Sequence, residues 1–532
     1  MKRYVSVLMI LMISFAFLFS FNSSTATAKS QDLEITLITP PVICKAVSFP
    51  VVAKVINNRS DGDILLTKAA WKWEQKEYEK ELKEEIKPGA NARQSLNRLK
   101  AKKDSLTADE QNEVKTQYEK LKKATNYVRF TITEEMAEDI QAKGSVKLAL
   151  NLTGESLSDK KEVNALQEVV LTAGRIPQRP PVAPGAHHSD WYFGDTHSHS
   201  TYTWDYYFGD GIYTIPELKS LAMAAGLEWL VLTDHAYCLD ANEYTEQKNA
   251  VNSLSDSSFA FLYGEELSCA ELVNGSKAYD TCHYNGIFNS TFVPCETDIF
   301  RKASSPDSQQ GINYLKQYGG LVTINHPNWG TGSLESWNFN INTYPYTHGE
   351  TGMEIMNGSW GDTDNGSTTR WIDRRLLKGE KVFPFAGSDT ESANHFGECY
   401  TVVYADYLTQ SNIKSNLGLG HQYATTYPGL AVWARKSGTS TWSWMGDTLT
   451  MGSGNVELYI SYGDSYDSLD IYVLKGKAGW SAEQQVSSKT VATGSGSYTI
   501  NTSVEPGCYL RVYCKEKNDG NYKAYTTPIW FN

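Results

Sequence analysis

The stretch "EWLVLTDH", residues 228–235, indicates the fold class. Its apolar run, which begins at Trp229, has the length of a buried strand and passes directly into Asp234 and His235. The segment before it, "IPELKSLAMAAGL" (215–227), has helical spacing and a proline in its first turn. A helix followed by a buried strand with a polar end is typical of a parallel α/β sheet or barrel.

The same arrangement recurs twice further along the chain. "GINYLKQYGG" (311–320) precedes "LVTINHP" (321–327), and "RWIDRRLLKGE" (370–380) precedes "VFPFAGSD" (382–389). Each apolar run again ends in Asp, His or Asn. Because polar residues at the carboxyl ends of such strands converge, we expect an α/β region over 190–434 with one site at that edge.

The region before it, residues 29–173, is predicted to be a β domain. Short alternating runs indicate strands. Lys- and Glu-rich stretches at helical spacing predict a helical hairpin inserted at about 67–125, with Thr107 and Glu110 as a capping box. A nucleic-acid or membrane arm is the alternative interpretation, and the mixed signs of the charges argue against it.

Two further boundaries follow from composition. Residues 174–189 contain "GRIPQRPPVAPGA", which predicts a proline-rich linker. After the α/β region, residues 435–532 return to short strands with Gly, Asp and Ser turns, which is typical of a β-sandwich.

The N-terminus has the pattern of a secretory signal. Residues 1–28 combine a basic start, an apolar run and the sequence Ala26-Thr27-Ala28, which predicts cleavage after Ala28. An uncleaved anchor is the alternative, but the apolar run is short. No later segment is apolar enough to span a bilayer. We therefore expect a secreted or extracytoplasmic protein.

The net charge limits the kinds of binding partner, and the cysteine content bears on disulfides. The 532 residues carry a formal net charge of −12, which argues against binding to a nucleic-acid duplex, because such proteins carry a basic surface. The eight cysteines permit disulfides without assigning them. Cys269 and Cys282 flank Asn274-Gly275, so a bridge across a hairpin is one hypothesis. The oligomeric state stays open.

Potential metal ligands occur in five clusters, each at or just after a predicted strand end. Imidazole and carboxylate groups are the usual ligands of zinc, iron and manganese. Side chains alternate along a strand, so His197 and His199 point the same way and can share one ion. The first two clusters are Asp195-x-His197-x-His199 and Asp234-His235. The third is Glu265-Glu266 followed by His283, the fourth is His326 and the fifth is Asp389.

The order "GDTHSHS", "LTDH", "GEEL…H", "NHP", "GSD" over residues 190–434 resembles the PHP (polymerase and histidinol phosphatase) domain. The segment "GHQYATTYPGLAVWA" is similar to the secreted, carbaryl-hydrolase-like branch of that family. The resemblance implies a distorted (β/α)7 barrel, similar to a TIM barrel, with two or three divalent ions (Zn, Mn or Fe) at its C-terminal face.

The resemblance also implies the ligand sets. One ion would take His197, His199, Glu266 and Asp389. A second would share Glu266 and add His283 and His326. A third would use His235 with an acidic residue of the first loop, for which Asp210 is the best match and Asp205 the competitor.

One motif departs from the family pattern. The family ends in Gly-Ser-Asp-x-His, whereas this chain has Glu391 at the last position. Glu391 could replace the imidazole and favour a harder ion, or His395 could take its place. Asp195 and Asp234 resemble groups that orient neighbouring histidines.

These features predict a metal-dependent phosphoesterase in which a metal-activated water attacks a phosphomonoester or phosphodiester of a small molecule or polymer. The alternatives are an amide, carbamate or carboxylic ester hydrolase, and a non-catalytic cell-surface binding protein. The candidates for proton transfer are His235 and His395. The candidates for substrate binding are Asn285, Asn328 and Arg370.

Overall fold

The protein is described by a computed structural model and is mostly β. Among the described residues, no helix has both the length and the apolar character needed to cross a membrane. Of the predicted leader, 1–28, the first 24 residues lie outside the described residues, and the last four lie in the strand Thr25–Lys29. Asp205, Asp210, Asn328 and Arg370 also lie outside the described residues. The described residues are 25–29, 32–100, 107–184, 190–203, 211–273, 276–295, 306–327, 348–358, 362–363, 374–391 and 394–532.

The N-terminal region consists of two four-stranded sheets, in the orders β1-β2-β3-β6 and β5-β4-β7-β8, whose apolar faces share one core. Its strands are β1 (Thr25–Lys29), β2 (Leu33–Ile38), β3 (Phe49–Asn57), β4 (Ile64–Trp73), β5 (Lys76–Ile86), β6 (Thr125–Ile132), β7 (Ser145–Ser156) and β8 (Glu162–Thr172). Its helices are α1 (Ala90–Lys100), α2 (Ala108–Lys123) and α3 (Glu134–Lys143).

The Lys- and Glu-rich stretch after residue 67 forms strands, so the helix predicted there is wrong. β4 and β5 pair as an antiparallel hairpin. In β5 the apolar residues Tyr78, Leu82 and Ile86 recur every four positions. That spacing fits one face of a helix, but because four is even it also fits one face of a strand. β5 lies at a sheet edge, where charged side chains discourage pairing with other chains.

The second half of the predicted hairpin is confirmed as helix. Thr107 caps α2 with the reciprocal Glu110 contact of a capping box. α1 and α2 pack against each other through a small apolar core of their own, made of Leu96, Leu99, Val114 and Tyr118. This core lets the pair fold as an insertion between β5 and β6.

The central region is built on one large sheet, which runs β15-β14-β13-β12-β11-β10-β9-β17-β18, with β16 paired to β14. Its strands are β9 (Asp190–Asp195), β10 (Trp229–Leu232), β11 (Ala260–Val273), β12 (Ser276–Ile287), β13 (Leu321–Ile324), β14 (Gly352–Asn357), β15 (Asp362–Thr363), β16 (Phe383–Gly387), β17 (Tyr400–Ala405) and β18 (Gln422–Thr425). Its helices are α4 (Ile215–Ala224), the short 3₁₀ helix Ala236–Cys238, α5 (Ala241–Leu254), α6 (Ser308–Gln317) and α7 (Gln410–Leu419).

The predicted (β/α)7 barrel, with its TIM-like helical ring, is wrong. Pairing is parallel along β9-β10-β11 and along β13-β14-β16, but antiparallel at β11–β12, β12–β13 and β9–β17. The result is a mixed sheet with few helices. An antiparallel pair needs only a tight turn, whereas a parallel pair needs a crossover. The Asn274-Gly275 sequence between β11 and β12 is the signature of such a turn.

The hairpin register also bears on the cysteines. Cys269 of β11 lies opposite Cys282 of β12 in the strand pairing. Directly opposed positions of an antiparallel pair are close enough for a bridge. The disulfide between these two residues stays a prediction.

The C-terminal strands continue the central sheet rather than standing apart from it. Beyond β18 the sheet runs through β27, β26, β23 and β24, and a second sheet, β20-β19-β22-β25, shares a core with these strands. The strands are β19 (Gly429–Lys436), β20 (Ser443–Trp444), β21 (Thr448–Leu449), β22 (Gly454–Asp464), β23 (Leu469–Lys477), β24 (Gln484–Val491), β25 (Gly494–Val504), β26 (Cys508–Glu516), β27 (Lys523–Thr526) and β28 (Ile529–Phe531).

The described part of the proline-rich segment, 174–184, is docked on this framework. The Trp191 indole donates to the Pro180 carbonyl at 2.9 Å. Arg175 pairs with the buried Glu516 at 2.6 Å. These contacts tie the segment to both the central and the C-terminal strands.

Candidate metal centre

The sheet brings the predicted ligands together at one edge. Every predicted ligand within the described residues belongs to at least one group whose ligand atoms lie within 4.8 Å of one another. These residues follow or lie within β9, β10, β11, β12, β13 and β16, so the convergence predicted from the strand ends is present without the predicted barrel. They are His197, His199, His235, Glu266, His283, His326, Asp389 and Glu391.

Glu266 lies at the centre of the cluster. Its Oε1 is 3.1 Å from His283 Nδ1, 3.2 Å from His326 Nε2 and 3.3 Å from His197 Nε2. The side chain is completely buried. Imidazole nitrogens and carboxylate oxygens are donor types that bind zinc, so this arrangement could hold a metal ion.

The other oxygen of Glu266 faces two more imidazoles. Its Oε2 is 2.7 Å from His235 Nδ1 and 3.4 Å from His199 Nε2. Although the first distance is short, neither Glu266 Oε2 nor His235 Nδ1 has a partner in hydrogen-bond geometry, and both atoms are buried. Buried polar atoms without a partner are costly, so this pair is a place where an ion would be stabilised.

Asp389 closes the cluster on the β16 side. Its Oδ1 is 3.2 Å from His197 Nε2 and 3.1 Å from His199 Nε2, and those two nitrogens are themselves 3.1 Å apart. Asp389 and His326 both have positive φ values, 54° and 24°. Non-glycine residues in this region are uncommon and often occur at functional sites.

Glu391, which stands where the family pattern has a histidine, faces His235 in the structure. Glu391 Oε1 is 3.0 Å from His235 Nε2, so Glu391 lies where the resemblance implies an imidazole. His395 belongs to none of the ligand groups found among the described residues. Its Nδ1 instead faces Glu398 at 3.3 Å. The geometry favours Glu391 over His395 as the replacement.

Asp234 fixes the loop that carries His199. It accepts the Ser200 backbone N–H and the Ser200 hydroxyl, both at 2.6 Å, and the Thr203 hydroxyl and the Gln247 amide, both at 2.7 Å. Because the Thr203 hydroxyl donates to Asp234, its oxygen accepts from His199 Nδ1 at 3.2 Å. That bond leaves the His199 Nε2 lone pair directed into the cluster.

We expect Asp234→Ala to lower the free energy of unfolding by about 3 kcal/mol, because buried donors lose their acceptor. Urea denaturation measures the change. Asp61→Ala, at an exposed position, serves as the control and should stay within about 0.5 kcal/mol of the parent protein. Equal stability of the two variants would show that the Asp234 network contributes nothing.

Asp195 holds the opposite side of the histidine pair. Its Oδ1 accepts the backbone N–H groups of His197 and Ser388, both at 2.9 Å. Ser388 precedes Asp389, so Asp195 connects the β9 and β16 ends. Burial raises the pKa of Asp195 to about 7, against the opposing effect of these hydrogen bonds.

Glu265 points away from the cluster, which separates it from its neighbour Glu266. It accepts from the Asn289 amide at 2.6 Å and from the Val293 N–H at 2.9 Å. Burial raises its pKa to about 8. Adjacent strand residues face opposite sides, so one carboxylate enters the cluster and the other supports the loop behind it.

Two residues that contact the candidate ligands were not predicted from the sequence. Glu354, in the middle of the buried strand β14, lies 2.9 Å from His197 Nδ1. Asn325 donates to Glu266 Oε1 at 2.8 Å. A single glutamate inside the apolar run "GMEIMN" was the available signal for Glu354, because an ionisable group is rarely buried without a partner.

The electrostatics of the cluster favour bound cations. Burial lowers the pKa of His197, but Asp389, Glu266 and Glu354 outweigh burial and raise that pKa well above its ordinary value. Burial raises the pKa of Glu266, yet the surrounding histidines hold it well below its usual range. Within the described chain, no lysine or arginine pairs with Glu266, Glu354 or Glu391. The excess negative charge therefore fits divalent ions.

Of the three substrate-binding candidates, Asn285 is the one that lies within the described residues. Asn285 is fully buried, donates to the Thr196 carbonyl at 3.0 Å and accepts from Asn325 at 2.8 Å. Asn285 therefore contacts Asn325, which in turn donates to Glu266. Arg375, five residues after the candidate Arg370, is buried and paired with Glu350 and Glu380.

Comparisons with known proteins find no family model that matches the chain and no match among curated proteins. Solved structures share only weak similarity. A candidate metal-dependent phosphoesterase from Bifidobacterium adolescentis aligns at TM-score 0.25 and 13% identity, covering 37% of this chain and 86% of that one. A β-glucosidase from Listeria innocua aligns at TM-score 0.12 and 14% identity, covering 20% and 16%.

A β-glucuronidase from Parabacteroides merdae aligns at TM-score 0.18 and 9% identity over 96% of this chain and 63% of that one. Alignments with TM-scores this low carry no information on the fold or the activity of the chain. The functional argument therefore rests on the geometry of the cluster.

Proposed function

We propose that the protein is a metal-dependent hydrolase that cleaves phosphoesters. The observation that supports this proposal most directly is the buried Glu266, whose two oxygens face five imidazoles within 3.4 Å. A carboxylate in such surroundings suits two adjacent divalent ions, and paired ions are typical of phosphoester hydrolysis.

The donor set divides into two positions that share Glu266. The resemblance assigns His197, His199 and Asp389 to one of them and His283 with His326 to the other. By distance, His197 also groups with His326 and Asp389. His235 and Glu391 form an adjacent pair that would hold a third ion. When bound, such ions lower the pKa of water and neutralise the oxygens of a phosphoryl group.

Proton transfer to the leaving oxygen needs a residue that does not serve as a ligand. Both nitrogens of His235 face carboxylates, Nδ1 towards Glu266 and Nε2 towards Glu391. His395 lies on the same segment as Asp389, outside the ligand groups, and Glu398 orients its Nδ1. We therefore assign proton transfer to His395.

The test is a substrate panel run on the purified full chain. Metal content is measured by elemental analysis, and turnover is measured on a chromogenic phosphodiester, a phosphomonoester and a carboxylic ester. We expect two or three divalent ions per chain, phosphoester turnover that chelation abolishes, and its recovery on adding Mn²⁺ or Zn²⁺. His395→Gln should keep the ions and lose turnover. A chain without transition metal and without metal-restored turnover would indicate a binding protein instead.

A hydrolase of amides, carbamates or carboxylic esters is the second candidate. The observation in its favour is that Arg375 is occupied by Glu350 and Glu380, so this guanidinium does not offer itself to a phosphate. The same ions would activate water for attack on a carbonyl carbon. Turnover of the carboxylic ester alone in the substrate panel would select this candidate.

We also propose that the protein is exported. The proposal is supported by the basic start, apolar run and small-residue motif of residues 1–28. N-terminal sequencing of the protein recovered from its native source should begin at Lys29, so that the exported form lacks Thr25–Ala28 of β1 and their pairing with β2. A first residue at Met1 would exclude cleavage.

A further inference from the structure

We propose that Glu354 is a positioning residue that holds the two proposed ligands His197 and His326 at once. The proposal rests on the proposed metal site, because orientation of a ligand matters only where an ion binds. Glu354 is buried, with 1% of its surface exposed. It is not itself a member of any ligand group found among the described residues.

The two oxygens of Glu354 have different partners. Oε1 accepts from His197 Nδ1 at 2.9 Å. Oε2 accepts the backbone N–H of His326 at 2.8 Å and the Asn357 amide at 3.0 Å. One carboxylate therefore receives three donors, two of which belong to the proposed ligands His197 and His326.

The contact with His197 selects which ring nitrogen can bind an ion. When Nδ1 carries the proton that it donates to Glu354, the neutral ring has its lone pair on Nε2. That nitrogen faces Glu266 and Asp389 at 3.3 and 3.2 Å. Carboxylate partners of this kind fix the orientation of metal-binding histidines and raise their basicity.

The contact with His326 holds an unusual backbone. His326 has φ 24°, outside the broad regions that non-glycine residues prefer. The bond from its N–H to Glu354 helps to keep that conformation, which brings Nε2 within 3.2 Å of Glu266. Such strained residues persist where their surroundings determine them.

Gly387 provides the space that this arrangement requires. A Cβ atom at Gly387 would lie 2.5 Å from Glu354 Oε1 and 2.6 Å from His197 Cβ. Any side chain there would push the carboxylate and the imidazole apart. The lack of a side chain at Gly387 therefore allows the contact between Glu354 and His197.

The decisive variant is Glu354→Gln, which keeps the size and removes one acceptor. An amide offers one oxygen and one NH₂ group, so at least one of the three donors meets another donor. Glu350→Gln is the matched control. Glu350 is also buried, lies four residues earlier and pairs with Arg375 rather than with the cluster. Glu354→Asp tests rescue, because it restores two acceptor oxygens on a shorter side chain.

Cobalt(II) alone is the probe, added to the metal-stripped full chain and followed by equilibrium dialysis and visible absorption. We expect Glu354→Gln to bind Co²⁺ about 10–100-fold more weakly than the parent protein, with an altered absorption band. Glu354→Asp should recover part of the affinity, and Glu350→Gln should match the parent. Circular dichroism of the metal-stripped forms confirms that each variant is folded.

Parent-like affinity and an unchanged band in folded Glu354→Gln would overturn the inference, as would an equal loss in Glu350→Gln. A parent protein that binds no Co²⁺ would overturn the proposed metal site itself. The two failures are therefore distinguishable.

Discussion

Replacing Glu266 by alanine should remove both the proposed metal binding and the proposed hydrolytic activity. The variant deletes a carboxylate that lies within 3.4 Å of five histidines. Loss of a residue that merely supports a ligand costs about 10–100-fold in metal affinity or activity, so loss of a bridging ligand should cost more than about 100-fold. Elemental analysis of the purified variant and turnover on the responsive substrate measure the two effects.

The neighbouring position supplies the control. Glu265 is equally buried, but it bonds Asn289 and Val293 on the other side of the strand. Glu265→Ala should therefore lower stability while leaving the metal content near that of the parent protein. A Glu266→Ala protein that keeps its ions, or a Glu265→Ala protein that loses as many, would contradict the assignment of Glu266 as the shared ligand.

The convergence of the candidate ligands was largely predictable because its signals are local. The i, i+2 spacing of His197 and His199 follows from strand geometry, and a polar residue directly after a buried strand indicates the same edge of a sheet. The resemblance selected Glu266 over Glu265. These inferences need only the position of each residue on its own strand, and they hold although the pairing of the strands differs from the expected one.

The sheet topology was less predictable because it depends on partners distant in sequence. Asn274-Gly275 indicated the hairpin of β11 and β12, but the expected barrel did not include this antiparallel pair. β5 shows a different limit, since a four-residue apolar repeat is compatible with helix and strand. Glu354 shows a third, because its role depends on contacts with His197 and His326 that no local pattern contains.

Gly194 is a position where a single methyl group should damage the fold. A Cβ atom there would lie 1.9 Å from Trp229 Cδ2, far inside van der Waals contact. Trp229 is completely buried, and its indole donates to the Tyr192 carbonyl at 2.9 Å. The ring can move only by losing that bond and disturbing its packing. We expect Gly194→Ala to lower the free energy of unfolding by about 3 kcal/mol.

Urea denaturation tests this expectation, with Gly520→Ala as the control, because nothing lies within 4 Å of a Cβ atom built at Gly520. A double-mutant cycle identifies the cause. If the clash with the indole is responsible, Gly194→Ala should cost much less in a Trp229→Leu background. An equal cost in both backgrounds would exclude the clash. Since β9 leads directly into Asp195 and His197, we also expect the single variant to bind metal more weakly than the parent protein.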